Sequence, residues 1–183
     1  MRLDLACHRQ PSIAMRSAWL DIPLADYEGH MAYPSVGQAQ LLADRFERLV
    51  LRYLPKSVAL IGCAGGNGLQ RLAAGQLERI VAVDINPHYV EQSGIRHSHR
   101  LRNLELLCAD VQSASLSFAP VELLYAALLF EYVDVSLTIM ALRLVAPEEL
   151  ERCATGCGFA PMDSETVFAA SGKQFCFQTF RSR

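Results

Sequence analysis

A cluster of glycines followed by a single acid is the part of the sequence whose residue types and spacing suggest chemistry. The glycines lie within residues 62–68, directly after an apolar run, and Asp84 closes the next apolar run. Glycines let the chain turn tightly and let a ligand lie against bare backbone. A carboxylate at the end of the second strand can accept hydrogen bonds from ribose hydroxyls. The pattern predicts a nucleotide-binding βαβ unit over residues 57–84, with a short helical link.

The glycine spacing bears on which nucleotide this turn can bind. Dinucleotide-binding proteins use the pattern G-x-G-x-x-G. When the pattern is started at Gly62, Ala64 takes the place of the second glycine and Asn67 that of the third. A nucleotide-dependent oxidoreductase therefore shares Asp84 with this chain but not the glycine spacing.

The segment IGCAGGNGL, followed by AVDINP, resembles the first two motifs of class I S-adenosyl-L-methionine (SAM)-dependent methyltransferases. In that family the glycines alternate along the turn. Ala64 departs from the pattern by replacing a glycine, and Leu60 stands where the family often has an acid. The glycines that fit are Gly62, Gly66 and Gly68.

This resemblance implies a cofactor, SAM, and a set of residues that bind it. Asp84 is assigned to the ribose and Asp110 with Val111 to the adenine, and the adjacent Ile85 is predicted to bind the cofactor. A helix-capping role for Asp110 is the alternative. Ala127 follows the fourth predicted strand and completes the site. Backbone contacts with the cofactor are assigned to Gly62, Cys63, Ala64, Gly66 and Gly68.

The catalytic part of such a site is less specific in sequence. Methyl transfer from a sulfonium is an in-line displacement, in which the protein mainly positions the acceptor and excludes water. Glu131, at the exit of the fourth strand, is the candidate general base, and a solvated acid is the alternative interpretation. Tyr27, Glu28 and His30 precede the core and are predicted either at the mouth of the ligand cleft or in a surface loop.

Composition limits the class of protein. The chain has 183 residues, of which 51% are hydrophobic and 20% are charged, so one compact domain is predicted. Residues 1–56 form its N-terminal helical segment, residues 57–134 its cofactor-binding half and residues 135–183 a shortened C-terminal half. The formal net charge of −2 and the absence of a basic run predict a small-molecule acceptor and no nucleic-acid partner.

The cysteines and histidines are predicted to have ordinary roles. Six cysteines without paired C-x-x-C spacing predict free thiols in a cytoplasmic protein. His97 and His99 are two residues apart, which places them on different sides of a helix, so exposed histidines and no metal site are predicted. No apolar stretch is long enough for a secretion signal or a membrane span.

The predicted fold is α/β, a three-layer Rossmann-like sheet that is mostly parallel and ends in an antiparallel hairpin within residues 162–180. A last helix is predicted within residues 147–159. Only residues 135–146 lie between it and the region of the fourth strand. A helix and a parallel strand do not both fit there, so the fifth strand is predicted to be missing. An unpaired strand edge left in this way is closed either by the hairpin or by forming a homodimer.

The function predicted from these observations is SAM-dependent methyl transfer to an unidentified small molecule. Two alternatives remain at this point. A degenerate, non-catalytic SAM-binding or interaction module would account for Leu60 and Ala64. An oxidoreductase that uses a nucleotide cofactor would account for Asp84.

Overall fold

The computed structural model describes residues 17–112, 116–129, 132–133, 159–168 and 174–182. Two short 3-10 helices, at Ala18–Leu20 and Leu69–Arg71, accompany the regular elements. The α-helices are α1 (Leu24–Ala32), α2 (Gln38–Tyr53) and α3 (Pro87–His97). The strands are β1 (Ser57–Ile61), β2 (Arg79–Asp84), β3 (Leu104–Cys108), β4 (Leu123–Ala126), β5 (Phe159–Phe168) and β6 (Gln174–Ser182).

The first four strands form a parallel sheet in the order β3-β2-β1-β4. Val58 of β1 lies opposite Ile80 of β2 on one side and Leu123 of β4 on the other. β1 and β2 are nearly continuous apolar runs because both faces of a central parallel strand are buried. The chain leaves β1 in one direction to form β2 and β3 and returns on the other side as β4. This reversal is the switch point at which open α/β sheets bind ligands.

Alternate residues of the central strands supply two apolar clusters, one on each face of the sheet. Val58 and Leu60 pack with Phe46 of α2 on one face. Ala59 and Ile61 pack with Val111 and with apolar residues that flank β4 on the other. The α/β architecture with a parallel Rossmann-like sheet is therefore confirmed, whereas the third layer stays a prediction.

The connection from β1 to β2 contains the predicted short helical link, but this link is not an α-helix. Its only helical part is the three-residue 3-10 helix Leu69–Arg71. Arg100 stabilises this helix, because its guanidinium donates to the carbonyl oxygens of Leu69 and Leu72. A full α-helix is absent from residues 62–78, so the glycine turn has no long helix behind it.

β5 and β6 pair antiparallel, from Phe159 opposite Ser182 to Phe168 opposite Gln174. They form a separate two-stranded sheet, and within the described ranges no backbone pairing joins them to the parallel sheet. A hairpin that completes the parallel sheet is therefore not seen. The Glu165 carboxylate on β5 forms an ion pair with Arg45 of α2. The predicted loss of the fifth strand falls on residues 135–146, outside the described residues.

Within the part of the chain that the structure describes, no helix is both long enough and apolar enough to span a bilayer.

Candidate functional site

A cavity of about 370 Å³ lies at the carboxyl ends of the four parallel strands. Its floor includes one residue that ends or follows each strand: Gly62, Asp84, Ala109 and Ala127. Small-molecule sites in proteins are clefts of about 300–1,000 Å³. The cavity therefore has the size and the place in the fold that a ligand site of an open α/β sheet requires.

Asp84 ends β2 and is only 8% exposed. Its Oδ2 atom accepts a hydrogen bond of 2.8 Å from the backbone N–H of Ala64, and its Oδ1 atom accepts one of 2.9 Å from that of Asn86. Burial raises the pKa of Asp84 above its ordinary value, while these backbone donors act in the opposite direction. An ionised carboxylate has about four lone-pair sites. Asp84 can therefore accept further hydrogen bonds from the hydroxyls of a ligand in the cavity.

The start of the glycine turn forms the wall next to Asp84. Gly62 has a φ of +68°, and a Cβ added there would lie 3.5 Å from Leu129. Ala64 also lines the cavity, and its φ of +46° is in the left-handed region. A residue with a Cβ is disfavoured in that region by about 1–2 kcal/mol. The hydrogen bond from Ala64 to Asp84 holds this strained residue in place.

The remaining residues of the predicted glycine-turn site do not line the cavity. Cys63 is 2% exposed and lies in the apolar core, where burial raises the pKa of its thiol. A Cβ on Gly66 would lie 2.6 Å from the His97 ring, and one on Gly68 would lie 2.9 Å from Phe46. These two glycines therefore let the turn pack against α3 and α2.

Residues at the ends of the outer strands complete the cavity. Asp110 and Val111 follow β3 and line it, as do Ile85 after β2 and Ala127 after β4. Asp110 Oδ1 accepts a hydrogen bond of 2.9 Å from the backbone N–H of Gln112, which closes a local turn. The structure thus brings together seven of the ten predicted cofactor residues. Glu131, the predicted general base, lies outside the described residues.

The segment before α2 covers the cavity. Two long-range hydrogen bonds anchor it. Asn86 Nδ2 donates to the carbonyl oxygen of Trp19 at 2.8 Å, and the Tyr89 hydroxyl donates to that of Ile22 at 3.0 Å. Tyr27 and His30 of α1 line the cavity, which favours the cleft-mouth alternative for these two residues over the surface loop.

Glu28, the third residue predicted near the mouth, has a different position. Its carboxylate forms an ion pair with the Arg96 guanidinium of α3. A Cβ on Gly65 would collide with both partners. Glu28 therefore connects α1 to α3 across the glycine turn and does not line the cavity.

Aromatic side chains form part of the lining of the cavity. The rings of Trp19 and Tyr27 have centroids 5.8 Å apart and planes at 88°, and those of Trp19 and Tyr132 are 4.8 Å apart at 84°. Tyr27 is also 6.0 Å from Tyr89. Burial, followed by the nearby Asp84 carboxylate, raises the pKa of Tyr27 to about 12, so its phenol is neutral at physiological pH.

The charges around the cavity have one dominant sign. Asp26, Asp84 and Asp110 contribute carboxylates and His30 an imidazole, and the described lining residues include no Lys or Arg. Within those ranges no group of three or more His, Cys, Asp or Glu side chains is placed to hold a metal ion. The cavity therefore suits a ligand that carries positive charge.

The prediction that both His97 and His99 are exposed is wrong for His97. His97 is 8% exposed and packs against Gly66, whereas His99 is exposed. Burial lowers the pKa of His97, so the neutral imidazole is favoured there. His97 is the last residue of α3 and faces the glycine turn, whereas His99 follows the end of that helix.

Comparison with known proteins agrees with the resemblance seen in the motifs. Residues 60–148 match the family model described as a methyltransferase domain. No curated protein matches the chain in sequence. The family resemblance and the Rossmann-like fold of class I SAM-dependent methyltransferases are thus confirmed.

Solved structures share the fold at low sequence identity. N-methyltransferase NodS from Bradyrhizobium japonicum WM9, in complex with S-adenosyl-L-homocysteine (SAH), has a TM-score of 0.68 at 18% identity, over 90% of this chain and 96% of NodS. Magnesium protoporphyrin IX methyltransferase (ChlM) from Synechocystis PCC 6803, with bound SAM, has a TM-score of 0.60 at 16% identity, over 80% of this chain and 81% of ChlM. A putative RNA methyltransferase, PH1948 from Pyrococcus horikoshii, has a TM-score of 0.54 at 12% identity, over 76% of this chain and 82% of PH1948.

Proposed function

We propose that this chain, whose residues 60–148 match the family model of a methyltransferase domain, binds SAM and transfers its methyl group to a small molecule. The observation that carries the proposal is the position of Asp84. It is a buried carboxylate at the end of β2, it is held by the glycine turn, and it faces the cavity at the switch point of the sheet.

The donors and acceptors around the cavity fit SAM. Asp84 is assigned to the ribose hydroxyls, because it retains acceptor capacity beyond its two backbone donors. Asp110 accepts from the adenine amino group, while Val111 and Ile85 supply apolar contact with the base. The backbone at Gly62 leaves room for the amino-acid end of the cofactor. Cys63, Gly66 and Gly68 act indirectly in this proposal, by holding the shape of the turn.

Electrostatics favour SAM over a dinucleotide. SAM carries a sulfonium and an ammonium against one carboxylate, so its net charge is positive and matches the carboxylates around the cavity. A dinucleotide brings a pyrophosphate, which Rossmann proteins bind at the N-terminus of the helix after β1. In this chain a three-residue 3-10 helix stands in that position. Residues 62–78 therefore do not supply the helix N-terminus at which an oxidoreductase would bind the pyrophosphate.

SAM, when bound, supplies an electrophilic methyl group on a positively charged sulfur. The protein then has to position the acceptor and exclude water. The Trp19–Tyr27 segment covers the cavity and is held by hydrogen bonds from Asn86 and Tyr89. This segment can exclude water from the cavity. Glu131 stays the proposed general base.

The proposed acceptor is a small molecule and not a nucleic acid. ChlM is named for a small-molecule acceptor and PH1948 for RNA, so structural similarity alone does not decide between them. The net charge of −2 and a cavity whose described lining lacks Lys and Arg both disfavour a phosphate backbone. The proposed enzyme is a single domain. Its cytoplasmic location is proposed from the free thiols of Cys63 and Cys108.

One observation favours a second candidate, a SAM-binding module without turnover. Ala64 combines a positive φ with burial at the position where the family places a glycine. Its methyl group reduces the room next to Asp84. Binding of SAM without release of SAH in the presence of any acceptor would support that candidate.

Thermal denaturation with added ligand tests the proposed cofactor. A ligand present at 100 times its dissociation constant stabilises the folded protein by about 2.7 kcal/mol. For a chain of this size we expect SAH and SAM to raise Tm by about 5–10 °C. NAD at the same concentration is expected to leave Tm unchanged. A shift with NAD and none with SAH would replace the methyltransferase proposal with the oxidoreductase one.

A further inference from the structure

We propose that the mouth of the cavity selects a positively charged amine as the methyl acceptor, through the Asp26 carboxylate and the faces of Trp19 and Tyr132. This inference rests on the proposed function, because it names the substrate class of the same site. Its first support is the assignment of the carboxylates that line the cavity. Asp84 and Asp110, at the strand ends, are assigned to the cofactor. Asp26 on α1 is the remaining lining carboxylate in the described residues.

The second support is the exposure of Asp26 compared with that of Asp84. Asp26 lies in the first turn of α1 and is exposed, whereas Asp84 is 8% exposed. A charge at the rim remains accessible to an arriving solute. In the described lining no Lys or Arg offsets it. A carboxylate- or phosphate-bearing acceptor would meet repulsion at this rim, and an ammonium would meet attraction.

The aromatic rings are the third support. Trp19 is in perpendicular contact with both Tyr27 and Tyr132, with interplanar angles of 88° and 84°. In such an edge-to-face pair, the ring whose edge makes the contact leaves both of its faces uncovered by its partner. A cation within about 6 Å of such a face is attracted by the ring quadrupole, most strongly by Trp. Tyr132 is 56% exposed, so the rings at the mouth can be reached from solvent.

The transfer that follows balances in atoms and electrons. The acceptor first loses one proton, to the general base or to water, which frees the nitrogen lone pair. That lone pair forms the new N–C bond as the C–S bond breaks, and the bonding pair stays on sulfur as the neutral thioether of SAH. The positive charge moves from sulfur to the methylated nitrogen, which then releases a further proton or stays charged. Asp26 lies beside the charge both before and after the transfer.

Three matched probes test this proposal: benzylamine, benzyl alcohol and benzoate. They share one ring and differ in charge at neutral pH. Binding is followed by the fluorescence of Trp19, the single tryptophan of the chain, with and without saturating SAH. We expect benzylamine to bind about tenfold or more tightly than benzoate, with the alcohol between them, because cation–π and charge contacts add for the amine alone.

Variants test which residues produce the preference for the amine. Asp26→Asn is expected to weaken benzylamine binding about three- to tenfold and to leave benzyl alcohol unchanged. Tyr132→Leu is expected to weaken the amine, and Tyr132→Phe to restore it, since the ring face is kept. Glu78→Gln is the matched control, because it removes one exposed acid at the opposite end of β2.

Two failures are distinguishable. If SAH does not bind but the amine preference is present, the proposed function fails and the cation selectivity of the mouth stands. If SAH binds and benzoate binds as tightly as benzylamine, the amine proposal is overturned. It is also overturned if benzylamine does not bind, or if Asp26→Asn and Glu78→Gln have the same effect.

Discussion

Replacing Asp84 by Asn is expected to weaken SAH binding about tenfold to several-hundredfold. A hydrogen bond to a charged acceptor contributes about 1.5–3 kcal/mol, and the ribose offers two such donors. Asn removes the charge and turns one acceptor atom into a donor. Isothermal titration calorimetry of the variant and of the wild-type protein measures the difference directly. Wild-type affinity in Asp84→Asn would show that the ribose does not bind at this residue.

The same change affects folding, and its control separates the two effects. Asp84 accepts from the N–H groups of Ala64 and Asn86, so Asn leaves one buried donor without an acceptor. That loss costs about 1–3 kcal/mol. Denaturant unfolding of the variant reports it, and titrations are run where the variant is folded. Glu105→Gln, an exposed acid on β3 that pairs with Arg79, is the control expected to bind SAH normally.

SAH affinity and the stability of the unliganded fold both depend on pH through Asp84, in opposite directions. Burial raises the pKa of Asp84 above its ordinary value of 3.8. Ribose hydroxyls donate to the ionised form, so SAH affinity is present above the raised pKa and is lost as pH falls through it. For this group alone, the stability of the unliganded fold changes in the opposite sense: it is greatest below 3.8 and decreases as pH rises through the raised pKa. Asp84→Asn is expected to remove both dependences.

Gly66→Ala is expected to destabilise the protein by about 2–5 kcal/mol, which lowers Tm by about 5–15 °C. Gly66 has a φ of +90°, and an added Cβ would lie 2.6 Å from His97 Cδ2 and 2.8 Å from Ser93 Oγ. Both neighbours are buried side chains of α3, so neither can move away at low cost. Calorimetric Tm values and urea midpoints measure the loss.

Alanine variants of two other glycines distinguish the steric cost of Gly66→Ala from its backbone cost. Gly75 has a φ of +76° with nothing within 4 Å of an added Cβ, so Gly75→Ala carries the backbone cost of about 1–2 kcal/mol alone. Gly29 lies within α1 with open space around it, and Gly29→Ala is expected to stabilise by about 0.5–1 kcal/mol. Equal losses for Gly66→Ala and Gly75→Ala would mean that the turn does not pack on α3.

The floor of the cavity was predictable because its signals are local. Gly62 follows β1 and Asp84 ends β2, and a parallel sheet brings the ends of such consecutive strands together. Their types and spacing therefore predicted both the sheet and the ligand edge. Asp110 and Ala127 line the same cavity for this reason, since each follows a strand of the same sheet.

The sequence indicates the cover of the cavity only as one of two alternatives for Tyr27, Glu28 and His30, because the anchors of the cover are distant in sequence. Asn86 and Trp19 are 67 residues apart, as are Tyr89 and Ile22. Nothing in the local pattern pairs them, and Trp19 alone looks like any partly buried aromatic. A weak signal was present in Asn86: it caps α3 with its side-chain oxygen, which leaves its amide group free to bind elsewhere.

The glycine turn shows a second limit of local reasoning. Gly66 and Gly68 fit a family pattern that suggests ligand contact, yet the space that they leave is occupied by His97 and Phe46. A glycine, which has no Cβ, leaves room for any group to approach the backbone closely. The sequence does not say whether that group belongs to a ligand or to a helix. The burial of His97 follows from the same packing, and its two-residue spacing from His99 gives no sign of it.

Hydrogen–deuterium exchange with and without SAH tests the central claim most directly, because it shows where the cofactor binds. We expect SAH to slow exchange in residues 17–31, 62–66, 84–86 and 109–112, which contribute the cover and floor of the cavity. The loop at residues 73–78, at the opposite end of the sheet, is expected to exchange at an unchanged rate. Unchanged exchange at residues 62–66 and 84–86 under saturating SAH would contradict the proposed site.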